Sequence, residues 1–310
     1  MIALGALIPL AILGGLIAGI AALSKRNDEE PQDGLMRRLV VAAITFGMTV
    51  VTTVGVGMLI NLLIGDPDSF VRSGSSDVAQ ALSMTIVGAP AAFFLWRYQL
   101  RALAGPDGRS IVWLLYQAIA SLTFSIGAVV SLGNGLRFHD FDGSARTSLA
   151  FGLAWLGGWG FHELIRRRRP APIRPGLAQA LGAGVALITV TFGGVALVAA
   201  VLGQIEGDFL ASTGRFDPIF DALVWTVVGG AAWVWQFVVS KPSDELSRAG
   251  LVLGLGVGGG ALLVLGGLTA LLTALGVAIT DELDVEMLTD AVAAVAIGFL
   301  VWRFHRNLIE

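Results

Sequence analysis

The chain has three histidines, His139, His162 and His305, and no cysteine. Without cysteine there are no disulfides, no thiolate metal sites and no thiol nucleophiles. The run His162-Glu163-Leu164-Ile165-Arg166 opens like the helix of a zinc protease. That helix needs a second histidine on the same face, four residues on, to complete its ligand set. Arg166 stands there instead. A haem held in a helical bundle would take two facing histidines. His139 belongs to the opposite side of the membrane from His162 and His305, and neither of those has a histidine partner on a helix. The acids Asp281, Glu282, Asp284 and Glu286 lack the glycine-punctuated loop of a calcium site and read as a solvated turn. Asp221 and Asp290 stand at helix starts, where carboxylates cap free N–H groups and favour the dipole. Gly254-Leu255-Gly256-Val257-Gly258-Gly259 has dinucleotide-type spacing but lies inside a long apolar run, so it reads as a close helix contact. The expectation is a non-enzymatic protein with no catalytic residues, no cofactor and no metal.

Charged and polar residues remain for other work. Glu163 lies three and four residues before Arg166 and Arg167, the spacing of an interfacial ion pair on a helix; the Glu163–Arg167 pair is expected. Arg166, Arg167, Arg168 and Arg169 form the densest positive patch, suited to anchoring the topology or to contacting anionic lipid headgroups. Gln117, Ser121 and Ser125 fall at i, i+4 and i+8, one stripe along a helix. With Thr189, and with Thr45, Thr49 and Thr52 on another segment, they suit either helix packing or a polar path.

The elements that position these groups are membrane helices. Of 310 residues, 55% are hydrophobic and 14% charged, and mean hydropathy is +0.79. A soluble domain runs near 25% charged, so most of this surface faces something apolar. Segments long enough to cross the bilayer are expected near 2–23, 39–63, 78–96, 111–132, 147–164, 177–203, 219–239, 249–278 and 288–303. The first lacks the leading positive charges of a cleaved signal; Lys25 and Arg26 follow it, so it reads as a retained helix. Alternate connections hold 16 of the 20 Lys and Arg, while the others are acidic. Basic short loops stay cytoplasmic. The expectation is an all-α multi-pass protein of the bacterial cytoplasmic (inner) membrane with nine transmembrane helices, N-terminus out and C-terminus in.

After the leading helix and its linker (1–37), the chain reads as four hairpins in two parallel four-helix repeats, 38–169 and 170–310. A gapless offset of 139 aligns Phe70 with Phe209, Trp96 with Trp235 and Arg109 with Arg248. The stretch from Gly88 through Trp96-Arg97 to Gly105-Pro106-Asp107-Gly108-Arg109-Ser110, followed by Leu114-Leu115-Tyr116, resembles the bacterial polytopic family catalogued as domain of unknown function 5671. The resemblance implies four-helix units, often in tandem, over residues 38–306. The second unit keeps Arg248 but has no Tyr after it. Membrane residence is implied; no activity and no catalytic residue is carried over.

Two functions fit. The first is a scaffold or accessory subunit of a membrane complex, contacting lipids and other membrane proteins through Gly-rich helix faces, with no nucleic acid involved. The second is a transporter or channel for a small neutral solute, with its site between the repeats near Gln117, Ser121 and Thr189.

Overall fold

A computed structural model describes residues 35–64, 75–102, 110–137, 143–168, 176–205, 217–239, 245–280 and 285–308. The expected leading helix at 2–23 lies outside these residues. All described elements are helices: α1 (Leu35–Ile64), α2 (Ser75–Ala102), α3 (Ile111–Leu136), α4 (Gly143–Arg168) and α5 (Leu177–Ile205). Helix α6 (Asp217–Trp233) runs on into a π-helical segment, Val234–Val239. Helix α7 comprises Glu245–Gly250, a second π-helical segment Leu251–Gly258, and Gly259–Thr280; α8 is Val285–Arg306.

Seven of the eight are long and apolar enough to cross a membrane. The eighth, α4, has 26 residues, but four arginines and five glycines lower its hydropathy. The chain is a polytopic α-helical membrane protein. In lipid every backbone polar group must be satisfied within the element, and helices do this. Ser110 starts α3 by accepting a hydrogen bond from the Val112 N–H at 3.2 Å, and the Arg137 N–H closes it on the Gly133 carbonyl at 3.2 Å.

Consecutive helices pack as four hairpins, α1–α2, α3–α4, α5–α6 and α7–α8. Helix α1 also lies on α4, α5 lies on α8, and α3 joins the two sets by packing on α5 and α6. Small residues permit these approaches where no hydrophobic effect drives helices together in lipid. A Cβ on Gly55 would stand 2.9 Å from the Thr85 backbone nitrogen, and one on Gly193 would stand 2.6 Å from that of Thr226. Gly260 and Gly298 face each other across α7–α8, each within 2.9 Å of the other's carbonyl oxygen by the same construction. The helix ends adjoining the Arg-rich connections form one end of the molecule, here the basic end. The other is the acidic end.

Candidate functional site

At the basic end, α1 to α4 converge on a buried cluster of Trp96, Trp113, Tyr116, Phe124 and His162. Phe124 is fully buried and stacks on the His162 ring at 4.5 Å. Trp96 meets the ring of Tyr116 at 5.4 Å and those of Phe161 and His162 at 5.4 and 5.7 Å. Gly158 makes room for Phe124, whose ring occupies the space a side chain there would need.

Hydrogen bonds thread this packing. His162 Nδ1 lies 2.8 Å from the Gly158 carbonyl oxygen, which can only accept, so Nδ1 carries the proton. In the neutral ring Nε2 is then an acceptor, and the Tyr116 hydroxyl donates to it at 3.0 Å. The Trp96 indole N–H donates to Thr49 Oγ1 at 3.3 Å, and the Thr49 hydroxyl donates to the Thr45 carbonyl oxygen at 2.7 Å. Each N–H and O–H in these two chains has an acceptor. That satisfies the demand for pairing in a low-dielectric interior.

Beside His162 the Glu163 carboxylate is shared by two arginines. Arg166 donates through Nη2 to Oε1 at 2.6 Å and through Nε to Oε2 at 2.9 Å; Arg167 donates through Nε to Oε1 at 2.9 Å. The expected Glu163–Arg167 pair is present, with Arg166 added as the bidentate and more buried partner. Arg166 is 8% exposed and turned to Glu163, whereas Arg167 and Arg168 are exposed. Arg169 lies outside the described residues. Arg167 also sits over the Trp235 ring at 5.8 Å, and Trp159 meets that ring at 6.2 Å, which ties α4 to the end of α6.

The structure brings Gln117 and Ser121 to this cluster. Both line a cavity of about 10 Å³ with Tyr116, His162, Glu163 and Arg166. That is room for about one water molecule. The Ser121 hydroxyl donates across helices to the Ala178 carbonyl oxygen on α5 at 2.8 Å, a bond joining the two sets of four helices. Ser125 and Thr189 are not part of this cavity. Ser125 donates to the Leu122 carbonyl oxygen at 3.1 Å and Thr189 to that of Val185 at 2.9 Å, each within its own helix. Among the described residues, no group of three or more His, Asp or Glu is placed to hold a metal.

A related arrangement closes the basic end of α5 to α8. His305 is buried, with Nδ1 2.8 Å from the Val301 carbonyl oxygen, and packs against Trp233, Phe237 and Phe304. Here Nε2 of His305 and the Trp233 indole N–H are buried without a hydrogen-bond partner among the described residues. Gly256, from the glycine run of α7, lies directly against the His305 ring. Trp235, aligned with Trp96 by sequence offset, is 41% exposed, whereas Trp96 is 4% exposed.

Sequence reading weighed the histidines only as metal or haem ligands and missed the Tyr116–His162 bond. The available signal was rarity. The chain has two tyrosines and three histidines, and one of each lies at the basic end of adjacent helices.

Residues 36–138 match the family described as Domain of unknown function (DUF5671). Over this stretch the chain is similar to that family. The DUF5671 match spans α1 to α3, and so carries Thr45, Thr49, Trp96, Tyr116, Gln117 and Ser121. It ends before α4, so His162, Glu163 and the arginines that complete the cluster lie beyond it. No curated protein and no solved structure matches the chain.

Proposed function

We propose that this is a non-enzymatic scaffold or accessory subunit of a complex in the bacterial cytoplasmic membrane, with basic ends cytoplasmic. The observation that supports it best is the filled state of the basic-end cluster. The polar side chains that would mark a path are bonded within and between helices, and the space among them holds about one water. In this reading a leading helix crosses first, N-terminus out, and two parallel four-helix repeats follow. Basic loops facing the cytoplasm support that orientation. Exposed Arg167 and Arg168 contact anionic headgroups there. Purification from native membranes in mild detergent tests the proposal. Co-purification of a stoichiometric membrane protein is expected, and a strictly monomeric particle with no partner and no retained lipid would overturn it.

The Ser121–Ala178 bond beside the cavity gives the transporter reading one specific anchor, at the junction of the two sets of helices. It requires that junction to open. Uptake of a small neutral solute by proteoliposomes distinguishes the two.

A further inference from the structure

The cavity of about 10 Å³ at the basic end lies against the junction of the two sets of four helices, and three of its lining residues lead across that junction. The Ser121 hydroxyl donates to the Ala178 carbonyl oxygen of α5 at 2.8 Å. The Trp159 ring meets the Trp235 ring at 6.2 Å. Glu163 accepts from Arg167 Nε at 2.9 Å, and the Arg167 guanidinium stands over the same Trp235 ring at 5.8 Å. The π-helical turn Val234–Val239 is what presents that ring: Gln236 and Phe237 are buried within it, and Trp235 is turned to α4.

The junction differs from one end to the other. Toward the acidic end the Trp225 ring of α6 fills the space over Gly133 of α3, a contact of ring on backbone that water cannot replace. At the basic end the contacts are a hydrogen bond, a ring edge and a cation over a ring. Water can take over the polar ones at little net cost, so the junction is more easily parted at this end. We propose that Arg167, fixed by Glu163 and laid over Trp235, is a clasp that shuts the cavity at the basic end, with the Gly133–Trp225 contact as the pivot about which the junction opens. The inference goes beyond the scaffold reading, which needs only a junction that stays shut. Glu163 is the link between the two roles, since it lines the cavity and holds the clasp.

The chain has no cysteine, so one introduced thiol reports on the cavity without background. Ser121→Cys is made in the full chain, purified in mild detergent, and its reaction with a small charged methanethiosulfonate is timed. Slow labelling is expected, because the thiol lies behind the clasp. Adding Arg167→Gln or Trp235→Leu should speed it about two- to fivefold, the range set by one cation–π contact. The two changes together should label no faster than either alone, because they remove the same contact. Arg167→Lys keeps a cation for the ring and should label at the original rate. Arg306→Gln removes the contact with Trp302 on α8 and should leave the rate unchanged, which separates the clasp from a general loss of stability. Equal rates with and without Arg167→Gln would overturn the proposal. So would rates that multiply in the double variant, an increase with Arg306→Gln as large as that with Arg167→Gln, or labelling of Ser121→Cys alone at the rate of the unfolded chain.

Discussion

Two helices end the same way, α4 with Phe161-His162 and α8 with Phe304-His305, yet their histidines have different neighbours. Each ring gives its Nδ1 proton to the carbonyl four residues back. The difference lies at Nε2. Tyr116 of α3 supplies a hydroxyl to His162. At the sequence offset of 139, Tyr116 falls on Leu255, beside the Gly256 that lies against His305, and among the described residues no hydroxyl reaches that ring. The tryptophans differ in the same way. Trp96 finds Thr49 on α1, while the Trp233 indole N–H has no partner among the described residues. The ends of these helices set the place of the histidine, and neighbouring helices decide whether its polar edge is satisfied. An unmet buried group costs about 1–3 kcal/mol, so the first cluster should hold its helices more firmly than the second.

The largest expected effect is at Phe124, which is fully buried on the His162 ring. Phe124→Ala should lower the stability of the purified protein by about 3–5 kcal/mol, read as early thermal unfolding in detergent. An equal loss from Phe237→Ala, beside His305, would erase the contrast between the clusters. Next is the ion pair. Glu163→Gln leaves the Arg166 guanidinium with a weakened partner in a mostly buried position and should cost about 1.5–3 kcal/mol in the same assay. In the second cluster Arg306 rests on the Trp302 ring at 5.4 Å. Arg306→Gln removes a cation–π contact worth about 0.5–1 kcal/mol at an exposed site, and lower thermal stability in the same assay is the expected result.

Tyr116→Phe should cost about 1–3 kcal/mol, because it leaves His162 Nε2 as unpaired as His305 Nε2 is now. A variant as stable as the parent would show that the hydrogen bond contributes nothing. The smallest effect is expected at Gly157, where no atom of the described residues lies within 4 Å of a Cβ position. Gly157→Ala should stay within about 0.5 kcal/mol of the parent. Gly158→Ala, which pushes a methyl into the Phe124 ring, should unfold at clearly lower temperature.

Much of the fold was legible in the sequence, because a membrane span is written as a long apolar run and seven of the eight described helices cover one such run. The Glu163 ion pair was legible for a similar reason, since three- and four-residue spacing alone puts the partners on one helical face. What crosses between helices was not. Tyr116 and His162 are 46 residues apart, and no local pattern couples them. By spacing Gln117, Ser121 and Ser125 share one face of α3, yet only the first two line the cavity. Ser125 turns to a carbonyl of its own helix. The offset of 139 matched Trp96 with Trp235 by type. The π-helical turn Val234–Val239 changes which side chains face inward there, burying Gln236 and Phe237 and leaving Trp235 exposed. One extra residue in a helical turn is invisible to an alignment of residue types.

The most direct test of the claim that these polar residues bind helices together rather than line a passage is stopped-flow light scattering on proteoliposomes given small neutral solutes. Uptake at the rate of protein-free liposomes is the expected result. Faster uptake that Ser121→Leu abolishes would contradict it and identify the junction at Ser121 and Ala178 as a path.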